Sequence, residues 1–165
     1  MKWFMEIINL LLAWLTVESK KGNNPTVDGV ADFLGDAGVE LGGVKGALLS
    51  FGAEFGGATI REVLVFVKNH RKTLFSMTKD EMSHMFYSIF KNKGEFSEEA
   101  YNTLVGELDT ELLIAEAEAN ADEMGKIAAT VASKKRLLKD MKHGLGVLAR
   151  FALIKAISIA SHGIL

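Results

Sequence analysis

The sequence predicts an all-α protein, a multi-helix bundle organised around a Gly-rich, heptad-patterned central helix. Three observations predict it. The 165 residues contain a single proline, Pro25. Strand-like alternation of apolar and polar residues is scarce. One long segment keeps its apolar residues at spacings of three and four: Val27, Val30, Leu34, Ala37, Leu41, Val44, Leu48, Phe51, Phe55 and Ala58. That spacing draws one continuous apolar seam along a helix.

Nine glycines lie between Gly29 and Gly57 in the same segment. Gly35, Gly38, Gly42 and Gly46 fall on a face apart from the seam. Each interior glycine costs a helix roughly 1 kcal/mol relative to alanine. The pattern therefore predicts close backbone approach to another helix, which a Cβ would prevent. The expected packing interface is Gly35, Gly38, Gly42 and Gly46 with Leu34, Leu41, Leu48, Phe51 and Phe55. A third stripe, Asp28, Asp32, Asp36 and Glu40, is acidic.

The length suits a single helical domain over residues 1–165, with 48% hydrophobic and 24% charged residues excluding bulk disorder. The absence of cysteine removes disulfides, thiolate metal sites and thiol nucleophiles. A net charge of −2 supplies no field that would draw nucleic acid, and none is expected as a partner. Charge is unevenly placed. Residues 26–57 are acidic, whereas Lys134, Lys135, Arg136, Lys139, Lys142, Arg150 and Lys155 stand against Asp140 alone in residues 133–155.

The elements follow in order. Residues 1–17 carry Trp3, Phe4, Ile7, Ile8, Leu11, Trp14 and Leu15 at helical spacing and read as an amphipathic N-terminal helix. Glu6 and Asn9 interrupt the apolar run and no small-residue cleavage site follows, so a cleaved leader is disfavoured. Residues 18–24 are a polar linker. Asn24 and Pro25 then start the Gly-rich helix, residues 25–57, which Gly56 and Gly57 end or bend. Thr59-x-x-Glu62 reads as a capping box, predicting a helix from Ile60 to Phe75. Thr78-x-x-Glu81 repeats the signature before Met82, Met85, Phe86, Ile89 and Phe90. Asn92, Lys93 and Gly94 end that helix. Ser97 caps the next, with Tyr101, Leu104, Val105, Leu108 and Leu112 along one side. Residues 110–133 are rich in Ala and Glu, with Gly125 the expected interruption. Residues 133–165 form a basic-to-apolar C-terminal helix broken at Gly144 and Gly146. Its apolar residues recur every three positions, so they drift around the axis, as in a buried or lipid-facing helix.

No catalytic, cofactor or metal site is expected. The acidic ladder lacks the Glu-x-x-His elements of helical di-metal centres. Lys91 and Lys93 stand where an EF-hand needs acids, so the turn at Asn92 is an ordinary hairpin turn. His70, His84, His143 and His162 have no metal-ligand spacing, and His70 sits in a basic helix end, where cations complement the dipole. No nucleophile elbow or phosphate loop is visible.

The expected function is that of a non-enzymatic structural or assembly protein whose helices pack against other copies or other subunits; a component of a large or viral assembly fits this. The competing reading is a membrane-active protein that inserts its Gly-rich and terminal apolar helices. Its candidate membrane contacts are Trp3, Trp14, Lys134, Lys135, Arg136, Phe151 and Ile154. A third reading is a cytosolic pocket for an apolar ligand, lined by Met77, Met82, Met85, Phe86 and Phe90. A cytoplasmic location, or one within an assembly, fits better than secretion.

Overall fold

The computed structural model describes Phe55 and residues 57–160. Among the described residues there are six helices and no strand: α1 (Gly57–Asn69), α2 (Arg71–Ser76), α3 (Lys79–Lys91), α4 (Glu98–Glu118), α5 (Ala121–His143) and α6 (Val147–Ala160). The all-α bundle expected from the sequence is what these residues adopt. The N-terminal helix, the acidic ladder and the Gly-rich helix before Phe55 lie outside them. So do Gly35, Gly38, Gly42, Gly46, Leu34, Leu41, Leu48 and Phe51 of the expected interface.

Local capping chemistry sets most boundaries. Thr78 Oγ1 accepts from Glu81 N at 3.2 Å and starts α3. Ser97 Oγ accepts from Ala100 N at 3.1 Å and starts α4. Each side-chain oxygen satisfies a donor that the first helical turn leaves open. Acids follow both caps, Asp80 with Glu81 and Glu98 with Glu99, where the helix dipole favours them.

Three boundaries differ from the sequence expectation. Helix α1 begins at Gly57, so Thr59 lies inside its first turn, and Glu62 instead accepts from Gly146 N at 3.3 Å. The single helix expected over Ile60 to Phe75 is divided at His70 (φ −113°, ψ 17°), whose ring is held by α5. A tertiary bond overrides local propensity there. Gly125 passes without interruption through α5, and the chain breaks at Ala119 and Asn120 instead. Asn120 Oδ1 caps α5 by accepting from Glu123 N at 2.9 Å.

Helix α6 is the centre of the described bundle. It packs on α1 and on α3, while α5 carries α2 and α4. Leu153, Ile154 and Ile157 of α6 are fully buried, together with Val67, Leu74, Phe86, Ile89, Leu137, Leu138 and Met141 from the surrounding elements. Each such side chain contributes about 1.5–3 kcal/mol through burial. Phe151 sets the outer edge of this core, with Phe55 and Phe90 each at 5.8 Å between ring centroids.

Two residues fix the entry of α6 into the bundle. Gly94 (φ +91°) closes α3, its N–H donating to Ile89 O at 2.8 Å. A Cβ at Gly94 would stand 2.2 Å from Val147 O and 2.9 Å from Phe151 Cβ. Arg150 is buried and pairs with no carboxylate among the described residues. Its Nε donates to Gly94 O at 2.7 Å, and its Nη1 to Leu145 O at 2.7 Å, Lys142 O at 3.2 Å and Met141 O at 3.4 Å. Burial lowers its pKa, and the guanidinium nevertheless stays protonated.

Gly94→Ala is expected to destabilise the protein by about 2–4 kcal/mol, through a left-handed backbone and a backbone clash. Gly125→Ala, where a Cβ would meet nothing within 4 Å, is expected to stabilise it by up to about 1 kcal/mol. Urea unfolding of both variants checks the pair. Arg150→Met keeps the volume but strips donors from four carbonyls, and its expected cost in the same assay is about 2–4 kcal/mol.

Candidate functional site

The first candidate is a cleft of about 520 Å³ between α1 and the C-terminal end of α5. Arg61, Glu62, Val65, Phe66, His70 and Asp140 are among the residues that line it. His70 Nε2 is hydrogen-bonded to Asp140 Oδ2 at 2.8 Å, and the ring lies 4.6 Å from that of Phe66. A carboxylate oxygen accepts, so the ring donates from Nε2 in this bond. The other nitrogen, Nδ1, is buried and has no hydrogen-bond partner among the described residues. Acid–base chemistry needs a ring nitrogen within hydrogen-bond reach of a substrate proton. Here one nitrogen is occupied and the other is sealed from solvent. His70 therefore acts as a tie between the α1–α2 junction and α5.

The second candidate is the hairpin of α4 and α5. The pairs Asp109–Lys135 and Glu98–Lys142 step in opposite directions along the two helices, which makes them antiparallel. Residues up to Leu108 and from Val131 onward belong to the core cluster. Between them, residues 109–130 bury only Ala115, while Leu112, Met124, Ile127 and Ala128 are half-buried. The far half of the hairpin is thus an arm carried beyond the main core. On its α4 side, Leu113 is 63% exposed and Ile114 53%.

Charge divides the hairpin. From Gly94 to Gly125 the chain holds Glu95, Glu98, Glu99, Glu107, Asp109, Glu111, Glu116, Glu118, Asp122 and Glu123 and no Lys, Arg or His. Glu98 and Asp109 meet lysines of α5, and Glu107 meets His84 at 2.6 Å. Glu111, Glu116, Glu118, Asp122 and Glu123 make no ion pair among the described residues. The basic stretch of α5 is partly consumed within the fold. Lys134 is 8% exposed and donates to Glu81 Oε2 at 2.5 Å. Lys135 pairs with Asp109, and Lys142 donates to Phe96 O at 2.5 Å. Arg136 and Lys139 stay exposed and unpaired among the described residues.

The residues singled out from the sequence separate accordingly. Lys134 and Lys135 serve ion pairs, Ile154 is fully buried, Phe151 is half-buried against Phe55, and Arg136 alone of the described candidate membrane contacts faces solvent. Phe55 is buried, while Trp3 and Trp14 lie outside the described residues. Met77, Met82, Met85 and Phe86 are packed into the core, with Phe90 partly buried against it. No described helix is long and apolar enough to cross a membrane, and the described residues hold no cluster of three metal-ligating side chains. Sequence reading missed the arm. The run of ten acids without a base, and the Asn120-x-x-Glu123 cap that opens α5, were its available signals.

Comparison with known protein families, characterised proteins and solved structures finds no significant match to this chain.

The hydrogen bond from Lys134 holds the Glu81 carboxyl below its usual value of 4.5; partial burial opposes this, and the charge of Lys134 and the Thr78 contacts add to it. A carboxyl depressed in the folded state contributes stability above its unfolded value, and that contribution is lost as pH falls through the folded value. Glu81→Gln is therefore expected to lower the urea midpoint at pH 7. The gap to the wild-type chain should shrink once pH passes below 4.5 and close in stronger acid. A pH series of urea titrations on both chains checks this.

Proposed function

We propose that the chain is a non-enzymatic structural or assembly protein that works by helix–helix packing with other copies of itself or with other subunits. The observation that carries this reading is the arm of α4 and α5, which displays Leu113 and Ile114 to solvent where almost nothing else is buried. A single exposed leucine needs no explanation. Two adjacent large aliphatic residues on an arm outside the core are different. They leave more than half of their surface in solvent, and they offer a ready surface for another helix.

The charge arrangement supports the same reading over a membrane one. Lys134 and Lys135, which would meet lipid headgroups, already hold Glu81 and Asp109, and the arm is acidic. The His70–Asp140 tie, with its sealed Nδ1, supports a structural role for the polar group nearest to a catalytic arrangement.

Leu113→Ser with Ile114→Ser is expected to leave the urea midpoint within about 0.5 kcal/mol of the wild-type value, as surface changes do. The same double change should lower the mass of the protein in solution, measured by light scattering. Anionic vesicles should leave the fluorescence of Trp3 and Trp14 unshifted. A salt-reversible blue shift on adding vesicles would instead favour the membrane reading and sink this one.

A further inference from the structure

Resting on that assembly reading, we infer that the outer face of the α4–α5 hairpin pairs with the same face of a second copy of this chain, across a two-fold axis that runs along the hairpin. The contacts between the two helices fix which residues share that face. Going round α4 from the buried Leu104 and Leu108, the ion-pairing Glu98 and Asp109 come next, and then the exposed Gly106, Thr110, Leu113 and Ala117. Going round α5 in the same sense from the buried Leu138, Lys142 and Lys135 come next, and then the exposed Gly125, Ala129, Ala132 and Arg136. In two antiparallel helices that face each other, equal senses bring both stripes to one side. The side of the hairpin turned away from Leu104, Leu108 and Leu138 is therefore lined by Gly, Ala, Thr and Leu.

This face suits burial. Thr110 Oγ1 donates to Gly106 O and Thr130 Oγ1 to Lys126 O, each at 3.0 Å, so covering them strands no hydroxyl donor. A Cβ at Gly106 or Gly125 would meet nothing within 4 Å, which leaves room for a close neighbour. Tyr101 stands against His143 and Asp109 against Lys135. That register sets Leu113 level with the turn from Ala129 to Ala132, and Glu118 level with Lys126.

A two-fold axis along the hairpin lays α4 over α5 of the other copy at the same level. Each Leu113 then enters the hollow between Ala129 and Ala132 of the other copy. Glu118 meets Lys126, and Arg136 comes within reach of Glu107 and Glu111. Lys126, Arg136, Glu111 and Glu118 are all exposed and make no ion pair among the described residues. An axis across the hairpin would instead set α4 on α4 and bring acids against acids, which like-charge repulsion disfavours. The 21 residues of α4 span about 30 Å, and two helices side by side are about 20 Å wide. The pair therefore buries roughly 1,200 Å² in total, the lower end of the range for stable interfaces, which fits a dimer that dissociates on dilution. Both copies spend the same face, so assembly through it stops at two.

The chain has no cysteine, so single introduced thiols report neighbours in the full-length protein. A Leu113→Cys chain mixed with an Ala132→Cys chain should form the mixed disulfide under mild oxidation, in preference to either self-disulfide. Sedimentation equilibrium should show a wild-type monomer–dimer equilibrium that weakens with salt. Lys126→Glu with Arg136→Glu should raise its dissociation constant by roughly tenfold or more. Circular dichroism melting confirms that this variant stays folded, and Lys126→Gln with Arg136→Gln replaces it where it does not. A wild-type chain still monomeric at about 100 μM would overturn the two-fold contact. So would species larger than a dimer, or a Leu113→Cys chain that joins itself in preference to Ala132→Cys. Those results leave packing with other subunits standing. The assembly reading itself fails through a different observation, the salt-reversible tryptophan blue shift on vesicles.

Discussion

Arg150 is the residue on which the described bundle hinges. It lies on the central helix α6, is 8% exposed, and has four backbone carbonyls within reach of its guanidinium. Two of them, Met141 O and Lys142 O, belong to the last turn of α5, where helical geometry leaves carbonyls without donors. A third, Leu145 O, lies in the link to α6, and the fourth, Gly94 O, lies in the turn after α3. One planar cation thus joins three junctions. Lysine, with a compact ammonium, has no equivalent fork. The partial negative charge at the C-terminal end of α5 lowers the cost of burying the guanidinium.

The other features of that region follow from this tie. Holding α6 against the turn after α3 brings Val147 O within 2.2 Å of where a Cβ on residue 94 would stand, so only glycine fits. Once α6 is seated, its neighbours on α1 and α3 close over Leu153, Ile154 and Ile157. The C-terminal end of α5 is then fixed, and Asp140 reaches His70 at 2.8 Å. That contact divides α1 from α2 and shapes the cleft beside them. The histidine of this cleft is spent on architecture.

Charge in the hairpin is divided between holding the fold and facing outward. Lys134, Lys135 and Lys142 lie toward α3 and α4, and their carboxylate partners neutralise them. Arg136 and Lys139 are exposed and make no ion pair among the described residues. On α4 the same periodicity leaves Glu111, Glu116 and Glu118 beside Leu113 and Ile114. Which charges are paired and which are exposed is thus a consequence of helical spacing, given which face each helix must bury.

The sequence by itself determined what short-range chemistry controls. The starts of α3 and α4 at Thr78 and Ser97, the turn through Asn92 and Gly94, the break between His143 and Val147, and the helical character of all described elements depend on residues within four positions of each other. Hydroxyl caps, dipole-matched acids and glycines act at that range, so a linear reading finds them. The missed boundary at Asn120 was of the same kind and was legible. Only the tertiary structure decided the rest. His70 meets a residue 70 positions away, Lys134 a glutamate 53 away and Arg150 a carbonyl 56 away. Nothing in a local pattern states that a lysine in a basic run will be buried, that one glycine must touch another helix, or that Leu113 stays in water while Leu108 does not. Those outcomes depend on which faces meet once the chain has folded back on itself, and that is a property of the packed whole.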